Sequence, residues 1–339
     1  MLDVPLWAWI ATIGLITALF VLDLIVAVRR PHAVHIREAT FWSVFYIGVA
    51  VLFGLAVWGL GGSTAGTEYF SGWIVEKSLS VDNLFVFVII MGRFAVPAEY
   101  QQKTLLFGIA AALALRAVLI AIGAAAINLF SFTFLLFGLI LIWTAVQLIR
   151  HRNEEPDVED TFIVRRARKI LPVSRSFHGG RMLAHEDGRR VMTPLLLVFI
   201  AIGSTDVLFA LDSIPAVFGV TRDPFLVFSA NAFALLGLRA LYFLVEGLLE
   251  RLVYLSVGLS VILAFIGAKL ILQFLHEDVT ESVPEIPTPL SLGVILVILL
   301  FTTAASLVRV HAHPEERARA GSLLGRREKR PSEEEPARR

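Results

Sequence analysis

DVLFALDSIP (Asp206–Pro215) places two carboxylates, Asp206 and Asp212, inside an apolar run that extends from Pro194 to Val220. A charged side chain near the centre of a bilayer costs about 2.5–3.5 kcal/mol on insertion scales, so acids in such a run mark a functional site. Six residues of ideal helix turn through about 600°, which leaves the two carboxylates about 120° apart. Pro215, three residues past Asp212, removes a backbone donor and disfavours regular helix just before it. The expectation is a kinked or broken helix that turns both acids, and some freed carbonyls, toward one cavity.

A second copy of the pattern lies in EKSLSVDNLF (Glu76–Phe85). Aligning Asp82-Asn83 with Asp212-Ser213 sets Glu76 against Asp206. A helix with a single Arg follows each copy, GIAAALALRAVL around Arg116 and NAFALLGLRALY around Arg239. An uncharged span (128–149) comes next in the first case and one with a lone Lys269 (252–274) in the second. The chain therefore reads as an internal repeat of three spans, about 70–149 and about 194–274.

The 339 residues are 57% hydrophobic, and apolar runs long enough to cross a bilayer recur along them, so the fold class is an all-α polytopic membrane protein. A net charge of +1 gives no field for nucleic acid. With no cysteine, disulfides, thiolate metal sites and iron–sulfur clusters are excluded. The histidines, at 32, 35, 151, 178, 185, 276, 311 and 313, all fall outside the predicted spans, which argues against an imidazole-built site in the membrane. The first apolar run lacks a basic leader and a small-residue cleavage site, so no cleavable signal peptide is expected.

Nine spans are predicted, at 5–28, 38–60, 70–92, 104–125, 128–149, 194–219, 225–247, 252–274 and 288–308. Lys and Arg fall after spans 1, 3, 5, 7 and 9, while the connections after spans 2, 4 and 8 have none and that after span 6 has only Arg222. By the positive-inside rule the N-terminus is outside and the C-terminus inside. Span 3 then runs inward and span 6 outward, so the two three-span units are inverted relative to each other. Inverted repeats with interrupted helices that meet near the midplane are the architecture of many secondary transporters.

The transmembrane domain covers 1–308, with a cytoplasmic loop at 150–193 and a charged tail at 309–339 that is expected to be disordered. Within the loop, VEDTFIVRRARKIL suits a short amphipathic helix on the anionic inner leaflet. The Gly-rich connection GLGGSTAGTEYFSG (59–72) reads as a linker. Asp23 sits about one turn from Arg29 and reads equally as an interfacial acid or a functional one, while Glu246 and Lys269 lie near span ends, where they can snorkel.

Glu76, Asp82, Asn83, Asp206, Asp212 and Ser213 offer only oxygen ligands, a set that suits hard divalent cations: magnesium, calcium or manganese. Some of these carboxylates could instead carry protons for antiport. Arg116 and Arg239 read as charge compensation for the acids, Lys77 as a neutralising neighbour of Glu76, and Asn231 as a supporting ligand. There is no His/Cys/Ser nucleophile constellation and no HExxH, so an enzyme is not expected. No permanently bound cofactor is expected, and the pattern is compatible with a homo-oligomer.

At EKSLSVDN (76–83), DVLFALDSIPAVFGVTRD (206–223) and FSANAFALLGLRALYF (228–243) the chain resembles the TerC family of bacterial integral membrane proteins, close to its Alx branch, over about residues 1–308. A distant relation to the LysE superfamily would follow. The resemblance implies a multi-pass protein of the bacterial inner membrane that exports manganese(II) or helps to metalate exported proteins, with an older link to tellurium resistance. It also implies that Glu76, Asp82, Asp206 and Asp212 are the ion ligands. Two alternatives stand beside it. One is export of another solute, such as an amino acid or a tellurium-related oxyanion, and the other is a non-transporting scaffold for secretion or envelope stress.

Overall fold

The computed structural model describes residues 4–29, 36–130, 132–150, 174, 177, 181–186, 189–245, 253–280, 283–284 and 286–312. Its helices are α1 (Leu6–Arg29), α2 (Ile36–Arg93), α3 (Ala98–Leu129), α4 (Thr133–Arg150), α5 (Pro194–Phe218), α6 (Pro224–Leu235), α7 (Leu238–Val245), α8 (Leu255–Asp278) and α9 (Thr288–Ala312). Between α4 and α5, strands β1 (Leu183–Glu186) and β2 (Arg189–Met192) form an antiparallel hairpin with Leu183 opposite Met192. Seven helices among the described residues are long and apolar enough to cross a membrane, and α6 with α7 makes an eighth when the bent pair is taken together. The protein is an all-α multi-pass membrane protein.

Three elements differ from the sequence expectation. The spans expected at 38–60 and 70–92 are two helical arms that meet at a kink at Gly62 (φ 87, ψ 174), together the 58 residues of α2. The stretch 59–72 is thus not a linker, and Glu68 lies on helix. Conversely, the span expected at 225–247 is broken, with α6 and α7 bent 41° to each other. The break falls at Gly237 (φ 79), where a side chain would also meet Tyr46, since a Cβ on residue 237 would lie 2.7 Å from Tyr46 Cβ. Positive φ and close approach together call for glycine. The matching position of the first copy, two residues before Arg116, is Ala114, and α3 runs through it unbroken. The positive φ falls at Gly237, where the continuous copy has Ala114.

Pro215 is the third difference. It lies in the last turn of α5, which stays helical to Phe218. The hydrogen bond it removes is the one to residue 211, so the stretch from Asp206 to Asp212 keeps its helical geometry. The two acids keep their angular separation and face different neighbours. The predicted amphipathic segment at 158–171 lies outside the described residues. The first part of the expected tail is helical, since α9 reaches Ala312, and 313–339 lie outside the described residues.

Packing is reciprocal between the two copies. The α2 arm that carries Glu76 packs on α6, α3 packs on α5, and α4 lies along α8. In lipid no hydrophobic effect pulls helices together, and close approach at small residues takes its place. The α4–α8 pair shows this directly. A Cβ on Gly138 would lie 2.8 Å from the carbonyl oxygen of Gly267, and one on Gly267 would lie 2.8 Å from that of Gly138. The outer surface is apolar instead, with Leu300, Phe301 and Val308 of α9 and Leu139 and Trp143 of α4 all exposed, as lipid-facing positions are. Replacing Gly267 or Gly138 with Val should force α4 and α8 apart and cost about 1–3 kcal/mol, the usual range for overpacking. Thermal unfolding in detergent should show a lower midpoint for either variant, whereas Gly293→Val, where a Cβ meets nothing within 4 Å, should leave it unchanged.

Candidate functional site

Arg116 reaches from α3 into the interior and is 0% exposed. Its Nη2 and Nε lie 3.1 and 3.5 Å from Oδ1 and Oδ2 of Asp206, a two-point fork on the carboxylate. Its Nη1 donates to Oε1 of Glu76 and lies 3.3 Å from Oγ of Ser213. Glu76 and Asp206, the acids that the repeat sets in register, are thus held by one guanidinium. The planar fork of Arg suits this task better than the point charge of Lys. Two carboxylates face one guanidinium, so with both acids ionised the cluster carries one uncompensated negative charge.

Several buried polar atoms beside this cluster have no partner. They are Oε2 of Glu76, Oγ of Ser80 one turn further along α2, and both side-chain amide atoms of Asn231 on α6. Asn231 is 1% exposed and Ser80 0%. Leaving a buried donor or acceptor unsatisfied costs about 1–3 kcal/mol, and native interiors leave few. With both acids ionised, a ligand that supplied these missing contacts would be favoured here.

The remaining predicted residues go elsewhere. Lys77 does not neutralise Glu76: its Nζ donates to the carbonyl of Ala234 at 3.0 Å, in the last turn of α6. There it satisfies a carbonyl that the helix break leaves open, and its charge suits a helix C-terminus. Asp212 is only partly buried and accepts from Oγ1 of Thr144 on α4 at 2.9 Å. The α5 geometry carries it away from Asp206. Arg239 does not compensate the motif acids either. It forks onto Asp23 of α1, with Nη2 2.8 Å and Nε 3.1 Å from Oδ1, and Nη1 lies 3.4 Å from Oε1 of Gln102. Asn83 is buried on α2. The side chain of Asp82 lies outside the described residues, as does Glu246. Among the described residues no group of three His, Asp or Glu side chains is placed to hold a metal ion, so the described acids are not gathered into one cage in this conformation.

Sequence reasoning left Asp23 open, and its role as the partner of Arg239 is a long-range pairing that no local pattern signals. It also passed over Glu68 and treated Lys269 as a snorkelling end residue. Lys269 is 7% exposed, and both line a cavity of about 600 Å³ at the end of the bundle near Gly62. The one legible signal was an acid in an otherwise small and apolar stretch.

The profile described as "Integral membrane protein TerC family" matches residues 61–313. The chain belongs to the TerC family. An uncharacterized membrane protein of Mycobacterium tuberculosis is 49% identical over 310 residues, 88% of this chain and 78% of that protein. The "Putative membrane-bound redox modulator Alx" of Photorhabdus laumondii is 39% identical over 301 residues, 86% of this chain and 93% of its own length. "Thylakoid membrane protein TERC, chloroplastic" of Arabidopsis thaliana is 43% identical over 252 residues, 74% and 66% of the two chains. No solved structure matches. In this TerC protein the matched region starts at the Gly62 break and holds both motifs and both Arg helices. α1, with Asp23, falls outside it.

The charge balance of the Arg116 cluster can be tested by stability alone. Arg116→Leu strands two buried carboxylates and should cost about 3–5 kcal/mol, as removing one member of a buried ion cluster does. Adding Glu76→Gln and Asp206→Asn to Arg116→Leu should recover a large part of that loss. Detergent unfolding midpoints would measure both, and no recovery in the triple variant would contradict the charge account.

Proposed function

We propose that this TerC protein exports a hard divalent cation, most concretely manganese(II), across the bacterial cytoplasmic membrane. The observation that carries the reading is the Arg116 cluster. Glu76 and Asp206, at matching motif positions, converge on one buried guanidinium, with unpartnered oxygens beside it. Counting the two arms of α2 separately gives nine crossings, and the reciprocal packing of the copies supports an inverted repeat. Alternating access would then come from rocking one unit against the other.

In this reading Glu76, Asp206, Ser213 and Asn231 form the inner ligand set, with Asp82 and Asn83 on the same arm of α2. Arg116 stands in for the ion while none is bound, and an entering cation competes with it for Glu76 and Asp206. Asp212 serves a separate step at the α4 side, and protons moving the other way are the proposed coupling ion. Arg239 and Lys77 hold the framework. The outward direction rests on the family resemblance. No enzymatic step and no permanent cofactor is part of the proposal. The Alx relatives are named as redox modulators; a redox role here would need a carrier other than a thiol, because the chain has no cysteine.

The test is cellular manganese content by elemental analysis, in an efflux-deficient host challenged with manganese at matched membrane expression. Wild type should lower it, and Glu76→Gln, Asp206→Asn and Asp212→Asn should each abolish the effect. Equal manganese in all strains would remove the exporter reading. Greater loss with Arg116→Gln or Arg239→Gln than with the acid variants would favour another, anionic or zwitterionic, solute.

A further inference from the structure

A cavity of about 600 Å³ opens at one end of the bundle, bounded by the start of the Glu76-bearing arm of α2, the α5–α6 connection, the end of α8 and the start of α9. Thr64, Glu68, Thr221, Asp223, Lys269 and Gln273 supply its polar lining. The three connections that meet there are those the Lys/Arg distribution assigns to the outside of the membrane. Thr221 Oγ1 donates to Oε2 of Glu68 at 2.6 Å, which leaves Oε1 without a hydrogen bond from the described residues. Asp223 is engaged as the cap of α6, accepting from the amides of Phe225 and Leu226 at 3.0 and 3.3 Å. Arg222, at the cavity wall, pairs with Glu277 and lies over the Phe134 ring, 4.2 Å from its centre.

Glu68 also heads a stripe on α2. Glu68, Gly72, Glu76 and Ser80 follow at intervals of four, each step advancing about 6 Å along the helix with a drift of about 40°. The stripe links the cavity to Glu76, about 12 Å deeper, and ends on Ser80, whose hydroxyl is buried and unpartnered. Between them Gly72 packs against α5 and α6, where a Cβ would lie 3.1 Å from Cγ1 of Val217 and 3.4 Å from Cβ of Ala230.

We propose that this cavity is a separate holding site for a hydrated divalent cation, with Glu68 its principal ligand, joined to Glu76 along the α2 stripe past Gly72. The site rests on the transport reading for its purpose, though not for its binding. A hexahydrated ion needs roughly 180 Å³ at the liquid volume of about 30 Å³ per water, so the cavity holds one with its shell intact. Among the described lining residues, Glu277 is paired with Arg222 and Asp223 caps α6, which leaves Glu68 as the principal carboxylate with Lys269 nearby. One carboxylate beside a cation suits weak binding through the hydration shell, and a release station has to bind loosely enough to let the ion leave.

The cysteine-free chain makes the test direct. Full-length protein with Thr64→Cys, in intact cells, is treated from outside with a membrane-impermeant maleimide, with and without manganese(II) chloride. Labelling is expected, and manganese at twice its Kd should slow it about threefold by simple occupancy, while sodium at matched ionic strength should not. Adding Glu68→Gln should abolish the slowing and keep the labelling, and Ser80→Cys, buried deeper along the stripe, should stay unlabelled from outside. If Thr64→Cys fails to insert, Gln273→Cys on the facing wall gives the same readout. Absence of outside labelling, or labelling indifferent to manganese, overturns the holding site. Because this readout needs no transport, the two ideas separate. Protection at Thr64 with export that survives Asp206→Asn keeps the holding site and removes the inner ligand set. No protection with export that depends on Asp206 does the reverse.

Discussion

A guanidinium held between two carboxylates in the bundle interior ties three helices of this structure together. Arg116, Glu76 and Asp206 come from three different helices, and none of the three is tolerable alone where water is absent. Once Arg116 is committed to α3, the faces of α2 and α5 that carry the acids have only one direction to point. The hydrophobic effect supplies no such direction in lipid, because tails and leucine side chains are equally apolar to one another. Small residues then set how closely the helices approach, as Gly138 and Gly267 do for α4 and α8. Charge chooses the partners and glycine sets the distance.

The two Arg helices differ in backbone at the position held by Ala114 in one and Gly237 in the other. Ala114 lets α3 run on as one helix and aims Arg116 inward, whereas Gly237 breaks the equivalent helix and Arg239 turns to Asp23 of α1. The break leaves open carbonyls at the end of α6, and Lys77 takes one of them. Lys77 follows Glu76 directly in sequence, but adjacent positions on a helix point about 100° apart, so the two reach different neighbours. On the repeat reading, Glu76 and Asp206 correspond and share Arg116, while Arg239, which corresponds to Arg116, faces Asp23 instead. An ion site built on the repeat would have its ligands from both copies and its competing cation from one.

What was legible in the sequence follows from the range of each signal. Apolar runs report lipid exposure residue by residue, so the spanning segments were readable to within a few positions. The register of Glu76 with Asp206 was readable because it is a property of the motifs themselves. Helix breaks were misjudged in both directions: glycines at 59–66 suggested a loop that the backbone interrupts only at Gly62, while Gly237 looked harmless in an apolar run. Close approach alone does not break a helix, since Gly138 and Gly267 are crowded and stay helical while a Cβ on Gly62 would meet nothing within 4 Å. Gly62 and Gly237 share a positive φ, which no local sequence pattern reports. Proline misled as well, since its effect reaches one turn back and Pro215 sits in the final turn of α5. The Asp23–Arg239 pair spans 216 residues, beyond any local pattern.

The separation of Asp212 from Asp206 changes what the motif can mean. Were all the motif acids to face one cage, the charge of a dication would be met at once and the ion would be held too tightly to move on. Instead Glu76 and Asp206 share Arg116, while Asp212 lies against Thr144 on the far side of the helix. A path assembled from partial sites, each short of full coordination, lowers the barrier between successive positions, which conduction and transport both require. On the transport reading, Arg116 adds a further condition, because a cation can take Glu76 and Asp206 only as the guanidinium gives them up. The unpartnered oxygens at Glu76, Ser80 and Asn231 are what such an exchange would draw on.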